Sequence, residues 1–346
     1  MRQRLGYLHL PKAAGTSIRA AVSSYYSQQD TVPWLFDRHL FGDHPGLREV
    51  CDERVFLGSP LELQSYAYME GHWAIPTMLT AFAPSEIVCI LREPRSRFLS
   101  HYAYWRGWPP EAHALWEPYR GALFAQLPLR EYCLSAPIAH QADNLMTRLI
   151  LGPHRLTPND GHIRHSDIDT VAAEAIRIVG DLGYVDVLER GEAMHRDFEE
   201  WFGSPLPRER LNVTDLEQGK PIDLDDLIDQ RTLRLVNDRN ASDLRVWEHV
   251  AAQRMNTALG VRSISDSAYG SAIGRIVLTH TRVRAQPETE HLTPPKDGPT
   301  PAPLCTRSSA FVRLVRLFFR GPRIWRDRIR DEVEYRRGTP DTDVSV

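Results

Sequence analysis

The chain has 346 residues, of which 42% are hydrophobic and 25% charged, with a formal net charge of -3. That length suffices for one large core plus an appendage. The charge balance excludes a generally basic nucleic-acid binder. Four scattered cysteines, Cys51, Cys89, Cys133 and Cys305, form no CxxC pair, so neither a disulfide framework nor a thiolate metal site is expected.

The basic "MRQR" is followed by "LGYLHL", too short for the apolar part of a secretory signal, and then by Pro11. No apolar run approaches the roughly 18 residues of a membrane span. A cytoplasmic protein is expected. Only Lys12, Lys220 and Lys296 are lysines among 42 basic residues. Lysine and arginine are not interchangeable, so Lys12 at the end of an apolar run draws notice.

"LGYLHL" reads as a buried strand, and "GTSIRAAVSSYY" as a helix. "RVFLG" (54–58) is a short strand candidate. "WAIPTMLTAFA" (73–83) reads as helical or partly so, with Pro76 near a start. "SEIVCIL" (85–91), bounded by Pro84 and Pro94, is the strongest internal strand. "PRSRFLSHYAYW" from Pro94 has helical spacing, with proline in its first turn. "IAHQADNLMTRLIL" (138–151) reads as helix, residues 152–167 as loop, and "DIDTVAAEAIRIVGDL" as a helix capped by Asp167. "YVDVLE" (184–189) reads as strand and "GEAMHRDFEEWFG" as helix. Residues 223–255 give one or two helices. Alternation of strand and helix predicts an α/β domain with a parallel sheet over 1–284. Residues 285–306, with six prolines, read as a linker. Residues 307–346 carry a basic amphipathic stretch, "FVRLVRLFFRGPRIWRDRIRDEVEYRR" (311–337). Two roles stay open for it: a helix pair docked on protein, or a peripheral membrane contact with the inner face of the membrane.

Parallel sheets place ligands at the carboxyl ends of their strands, and two strand ends carry suitable groups. In "HLPKAAGTS", small residues admit an anion to backbone N–H groups at a helix start. Lys12 can reach over it, and Thr16 and Ser17 either add hydroxyls or cap the helix. The lysine precedes the glycine, so the segment is not a GxxxxGK[ST] loop. In "CILREPRSRFLSHY", Arg92 ends the strand and Ser100 lies in the next helix. Together they suit a second phosphate, while Arg95 and Arg97 either join them or face solvent. Two separated anion sites imply a ligand with two separated phosphates.

These segments resemble the PAPS-dependent sulfotransferases, nearest the branch holding carbohydrate 2-O-sulfotransferases and bacterial relatives. "HLPKAAGTS" is similar to that family's 5′-phosphosulfate loop, and "LREPRSRFLSHY" to its 3′-phosphate motif. "EGHW" (70–73) is similar to the branch's Gly-His pair. "QADNLMTRLILG", "GYVDVLERGEAMHRDFEEWFG", "LNVT" and "DRNASDLRVWEHV" follow in the family's order, over residues 5–251. Ala13 departs from the threonine or serine usual there, which removes one hydroxyl.

The resemblance implies a P-loop-like three-layer fold with a central parallel sheet flanked by helices. It implies transfer of the sulfuryl group of PAPS (3′-phosphoadenylyl sulfate) to a hydroxyl of a saccharide or glycolipid acceptor, with no nucleic acid partner and no metal. Lys12 would neutralise the leaving group. Backbone donors across Ala13, Ala14, Gly15, Thr16 and Ser17 would hold the 5′-phosphate, and Arg92 and Ser100 the 3′-phosphate. His72 is the expected general base, its reference pKa near 6.5 suiting neutral pH. Asp37, His39, His44 and Glu70 are alternatives. His101 is expected to be structural. Asn144, Arg148, Arg164, Arg208 and Arg210 have either packing, surface or ligand roles. A kinase-like phosphate-loop enzyme and a non-catalytic binding protein are the rival functions.

Overall fold

A computed structural model of the protein describes residues 4–13, 15–41, 54–107, 120–207, 229–255 and 260–285. All lie within the unit Met1–Leu292. Residues 286–346, with nearly all of the expected linker and the whole basic segment, lie outside the described residues.

Four parallel strands form the main sheet: β1 (Leu5–Leu8), β4 (Tyr68–Gly71), β5 (Ile87–Leu91) and β6 (Tyr184–Val187), in the order β4-β1-β5-β6. A second parallel pair joins β2 (Phe36–Asp37) to β3 (Val55–Phe56). The fold is thus mixed α/β, with small parallel sheets flanked by helices. β1 and β5 are buried throughout, as suits central strands that read as continuous apolar runs.

Burial of the odd-numbered side of β1 organises one core. Leu5 and Tyr7 pack with Ile18, Ala21 and Val22 of helix α1 (Gly15–Ser23), and with Val88 and Ile90 of β5. Ile18, Ala21 and Val22 recur at the i, i+3, i+4 spacing of one helix face. Each such buried aliphatic side chain contributes about 1.5–3 kcal/mol. On the other side, a Cβ on Gly6 would come within 2.8 Å of Met78 Cε, so a glycine in the strand admits that close approach.

Helix α2 (Pro94–Arg106) leaves the end of β5 directly. Pro94 occupies its first turn, and the Glu93 carboxylate caps it by accepting from Ser96 N at 2.7 Å. Later helices include α3 (Leu145–Leu151), α4 (Ile168–Gly180), α5 (Glu192–Phe202), α6 (Gln230–Asp238), α7 (Ala241–Arg254) and α8 (Val261–Ala285).

Three expectations change. The helix read over 138–151 breaks at Asn144, whose φ of 50° is left-handed. Asn144 is fully buried and its Oδ1 accepts from Ser242 N (2.8 Å) and Asp243 N (3.3 Å) at the start of α7. Asp243 returns the arrangement, accepting from Met146 N (3.0 Å) and Thr147 N (2.7 Å) of α3. Each helix start is therefore capped from the other, which satisfies donors that neither helix bonds internally. Asp167 precedes α4 but caps nothing, because its carboxylate takes Arg164 Nε at 2.6 Å. Elements that went unread include β2, only two residues long, β4, whose Glu70 and Gly71 interrupt the apolar pattern, and α8, whose last residue Ala285 had been expected to open the linker.

Candidate active site

The chain leaves β1 toward β4 on one side, and leaves β5 toward β6 on the other. The carboxyl ends of β1 and β5 therefore flank the point where the connections diverge, the crevice in which parallel sheets bind ligands. Lys12 follows β1 and Arg92 follows β5. Across 80 residues of sequence, Arg92 Nη1 donates to the Lys12 carbonyl at 2.8 Å.

The turn at Lys12 is unusual. Ala13 N donates to Leu10 O at 3.2 Å, closing a turn with Pro11 second and Lys12 third. Lys12 has φ 65°, a value at which a Cβ crowds the backbone and glycine is usual. Ala13 N, one of the backbone donors expected across 13–17, is thus engaged by Leu10 in this turn. Ala13 itself is buried. Ala14 lies outside the described residues, and Gly15, Thr16 and Ser17 form the first turn of α1.

Lys12 Nζ lies over the Tyr104 ring, 4.2 Å from its centroid. Burial, then the positive charge of Arg92, push the Lys12 ammonium down to about 8. Ser100 and Tyr104 are four residues apart on α2 and so share one strip of its surface. Ser100 is half-buried, and its hydroxyl bonds to none of the described residues. Arg92 is lowered from the ordinary arginine value, chiefly by burial, while Glu189 opposes the shift. Glu189 also accepts from Glu93 N at 2.7 Å and Trp247 Nε1 at 3.0 Å, which fixes the backbone beside Arg92.

Arg95 and Arg97 do not face solvent. Arg97 is fully buried. Arg95 Nε binds Glu93 Oε1 at 2.6 Å, and its Nη2 reaches Ser265 Oγ (2.8 Å) and Asp266 (3.1 Å) on α8. It therefore clamps α8 to the start of α2.

His72 follows β4, held by backbone bonds to Leu35 O (2.8 Å) and from Asp37 N (3.0 Å). Its Nδ1 lies 2.5 Å from the His9 carbonyl. A carbonyl only accepts, so Nδ1 carries the proton and Nε2 keeps its lone pair. Burial pushes His72 down to about 4, although the His9 carbonyl pulls it upward. His72 is therefore neutral across the physiological range and a weaker base than free imidazole.

The alternative bases are otherwise occupied. Asp37 accepts from His39 N (3.1 Å) and Ala74 N (3.1 Å). Glu70 accepts from Tyr68 OH at 2.7 Å and faces Arg19 at 3.5 Å. His39 lies 3.7 Å from Asp37. His44, Arg208, Arg210 and "LNVT" lie outside the described residues. His101 is structural as expected, with Nε2 accepting from Trp105 Nε1 at 2.9 Å in a buried setting. Arg148 ties Asp143, Pro158 and Gly161 together, and Arg164 is a surface partner of Asp167. Neither arginine points to a ligand role.

Sequence reasoning passed over His9. It stands beside His72 with ring centroids 4.6 Å apart, and burial drives it well below the ordinary histidine value. Its Nδ1 is buried with no hydrogen-bond partner among the described residues. The available signal was a histidine just beyond each of two strands that prove to be adjacent. Tyr104 was also missed, two residues beyond the aromatic of the quoted motif. That aromatic, Tyr102, donates its hydroxyl to Leu127 O at 2.7 Å and is buried.

No family model matches the chain, and no curated protein is significantly similar to it. Among the described residues, no group of three or more His, Cys, Asp or Glu could hold a metal ion. Among the same residues, no helix is long and apolar enough to cross a membrane.

Proposed function

We propose that the protein is a PAPS-dependent sulfotransferase on a P-loop-like three-layer fold, acting in the cytoplasm on a hydroxyl of a saccharide or glycolipid. The observation that carries this reading is the junction of the two strand ends, where Arg92 holds the Lys12 carbonyl beside α2. A ligand anionic at both ends has a cation for each end there, and the resemblance of both segments names the ligand class. The basic stretch 307–337 is the part of the chain suited to a membrane surface that presents a lipid-linked acceptor.

In the proposed reaction the acceptor oxygen attacks sulfur, the bond from sulfur to the 5′-phosphate oxygen breaks, and the acceptor proton passes to His72 Nε2. Lys12 offsets the charge that grows on the leaving phosphate. Such stabilisation acts where charge develops and is strongest in a water-poor site. PAPS supplies an already good leaving group.

Calorimetric binding of 3′-phosphoadenosine 5′-phosphate and of adenosine 5′-monophosphate tests the two anion sites separately. The wild type should prefer the bisphosphate. Arg92→Ala should weaken the bisphosphate by about 10–100-fold, in line with loss of a charge-assisted bond, and the monophosphate by less, since Arg92 also holds the Lys12 carbonyl. Equal binding of both nucleotides by the wild type would count against the reading, and ATP binding that requires Mg²⁺ would favour a kinase.

Labelled PAPS, offered with glycans and lipids extracted from the host, tests transfer. His72→Ala should lower kcat by about 10²–10³-fold with little change in nucleotide affinity. The reaction needs His72 neutral, hence pH above about 4, and Lys12 charged, hence pH below about 8. The rate should fall outside those limits in the wild type, and the acid limb should vanish in His72→Ala. An acid limb that survives the substitution would remove His72 as the base.

A further inference from the structure

We propose that Tyr104 is a positioning residue for Lys12, its ring face holding the ammonium where the two strand-end segments meet. The contact is face-on, with Nζ 4.2 Å from the ring centroid, and a cation there is attracted by the electron-rich face. Tyr104 meets Trp105 edge-on at 5.2 Å between centroids, and the buried Trp105 is in turn bonded to His101.

Both ends of Lys12 are therefore tied to the β5–α2 segment. Arg92 takes its carbonyl at 2.8 Å, and Tyr104 takes its ammonium. The left-handed backbone at Lys12 sets the direction in which its side chain departs. Tyr104 also lies one turn beyond Ser100 on the same strip of α2, so one helix carries the hydroxyl of the second anion site and the ring that steadies the cation of the first.

Among the described residues, the titratable and charged groups around Lys12 include His9 on its own segment, Arg92 at the end of β5, and His101 and Tyr104 on α2. Burial keeps both histidines toward their neutral forms, and Arg92 repels a second cation. The Tyr104 ring face attracts a cation. Tyr104 thus opposes the burial that would otherwise discharge the ammonium.

The inference rests on reading Lys12 as the anion-binding cation, but its test needs no ligand. The chain holds three lysines, Lys12, Lys220 and Lys296. Lysine side-chain NMR of the full-length protein therefore gives three titrating signals, and Lys12→Arg identifies the one that matters. In the wild type it should titrate near 8. Tyr104→Leu and Tyr104→Met should lower that midpoint by about 0.5, the size expected of a partly buried cation–ring contact. Tyr104→Phe, which keeps the ring face, should titrate as the wild type does.

Circular dichroism melts establish that each variant is folded, and Tyr104→Met carries the test if Tyr104→Leu does not fold. Unchanged midpoints in the non-aromatic variants overturn the proposal, as does a fall in Tyr104→Phe equal to theirs. Nucleotide binding separates the two readings. A wild type that ignores 3′-phosphoadenosine 5′-phosphate refutes the sulfotransferase, while the titration still decides Tyr104.

Discussion

Replacing Lys12 with glycine should make the protein more stable and catalytically inert. Lys12 sits at φ 65°, in the third position of a turn closed by Ala13 N and Leu10 O. A side chain held there costs about 1 kcal/mol, because its Cβ crowds the following carbonyl. Burial adds a second cost, since the ammonium is pushed down to about 8 in the folded protein. The unfolded value lies near 10.4, so the folded state binds this proton less tightly. That penalty is complete below about pH 8 and fades as pH rises toward 10.4.

Lys12→Gly should accordingly gain about 1 kcal/mol or more at pH 7, less the extra freedom of glycine in the unfolded chain. The gain should shrink at pH 10. Chemical denaturation at the two pH values measures both quantities. Turnover should fall about 10³-fold, the scale for removing a charge aimed at a developing anion. A variant less stable than the wild type at pH 7 would show that the turn is not strained. Retained turnover would remove Lys12 from the reaction. A residue whose removal stabilises the fold is one kept for function.

Gly71→Ala should be among the most damaging single-methyl changes in the chain. Gly71 has φ 133°, and a Cβ there would meet Leu35 O at 2.3 Å and Leu35 C at 2.9 Å. Both obstacles are backbone and cannot turn aside. That carbonyl also accepts from His72 N at 2.8 Å, so relief would have to displace the bond that seats His72. Strain and overlap together should cost about 3–5 kcal/mol and lower Tm by about 6–12 °C.

Gly203→Ala is the control. Its φ of 76° is also left-handed, but nothing lies within 4 Å of the added carbon, so backbone strain acts alone and about 1 kcal/mol is expected. Thermal melts of the two variants, with bisphosphate binding measured on whatever remains folded, separate steric overlap from strain. Equal losses in the two would mean that the approach of Leu35 to Gly71 is not a rigid contact.

β1, β5 and the helix after each were legible because their signals are local. Each is an apolar run ended by proline or charge, followed by helical spacing. The arginine and the lysine at the strand ends were legible as residue types suited to an anion for the same reason. Asn144 misled because its residue type suits a helix surface, a cap and a left-handed break alike; its contacts with Ser242 and Asp243, about 100 residues away, decide among them. α8 was missed since its ties to Arg95 and Glu93 come from the first third of the chain. Glu70 and Gly71 interrupt the apolar pattern of β4, and its pairing with β1 supplies what its own pattern lacks.

By itself the sequence determined most of the longer elements, the parallel α/β class and the residue types placed at two strand ends, since helix and strand periods and turn residues act over a few positions. The tertiary structure alone decided which ends are neighbours. It set Arg92 on the Lys12 carbonyl, Tyr104 under the ammonium and His9 against His72, and it withdrew Asp37, Glu70, Arg95, Arg148 and Asn144 into bonds of their own. The physical reason is distance. Charge, burial and hydrogen-bond competition depend on what lies within a few ångströms, and the order of strands in the sheet settles that.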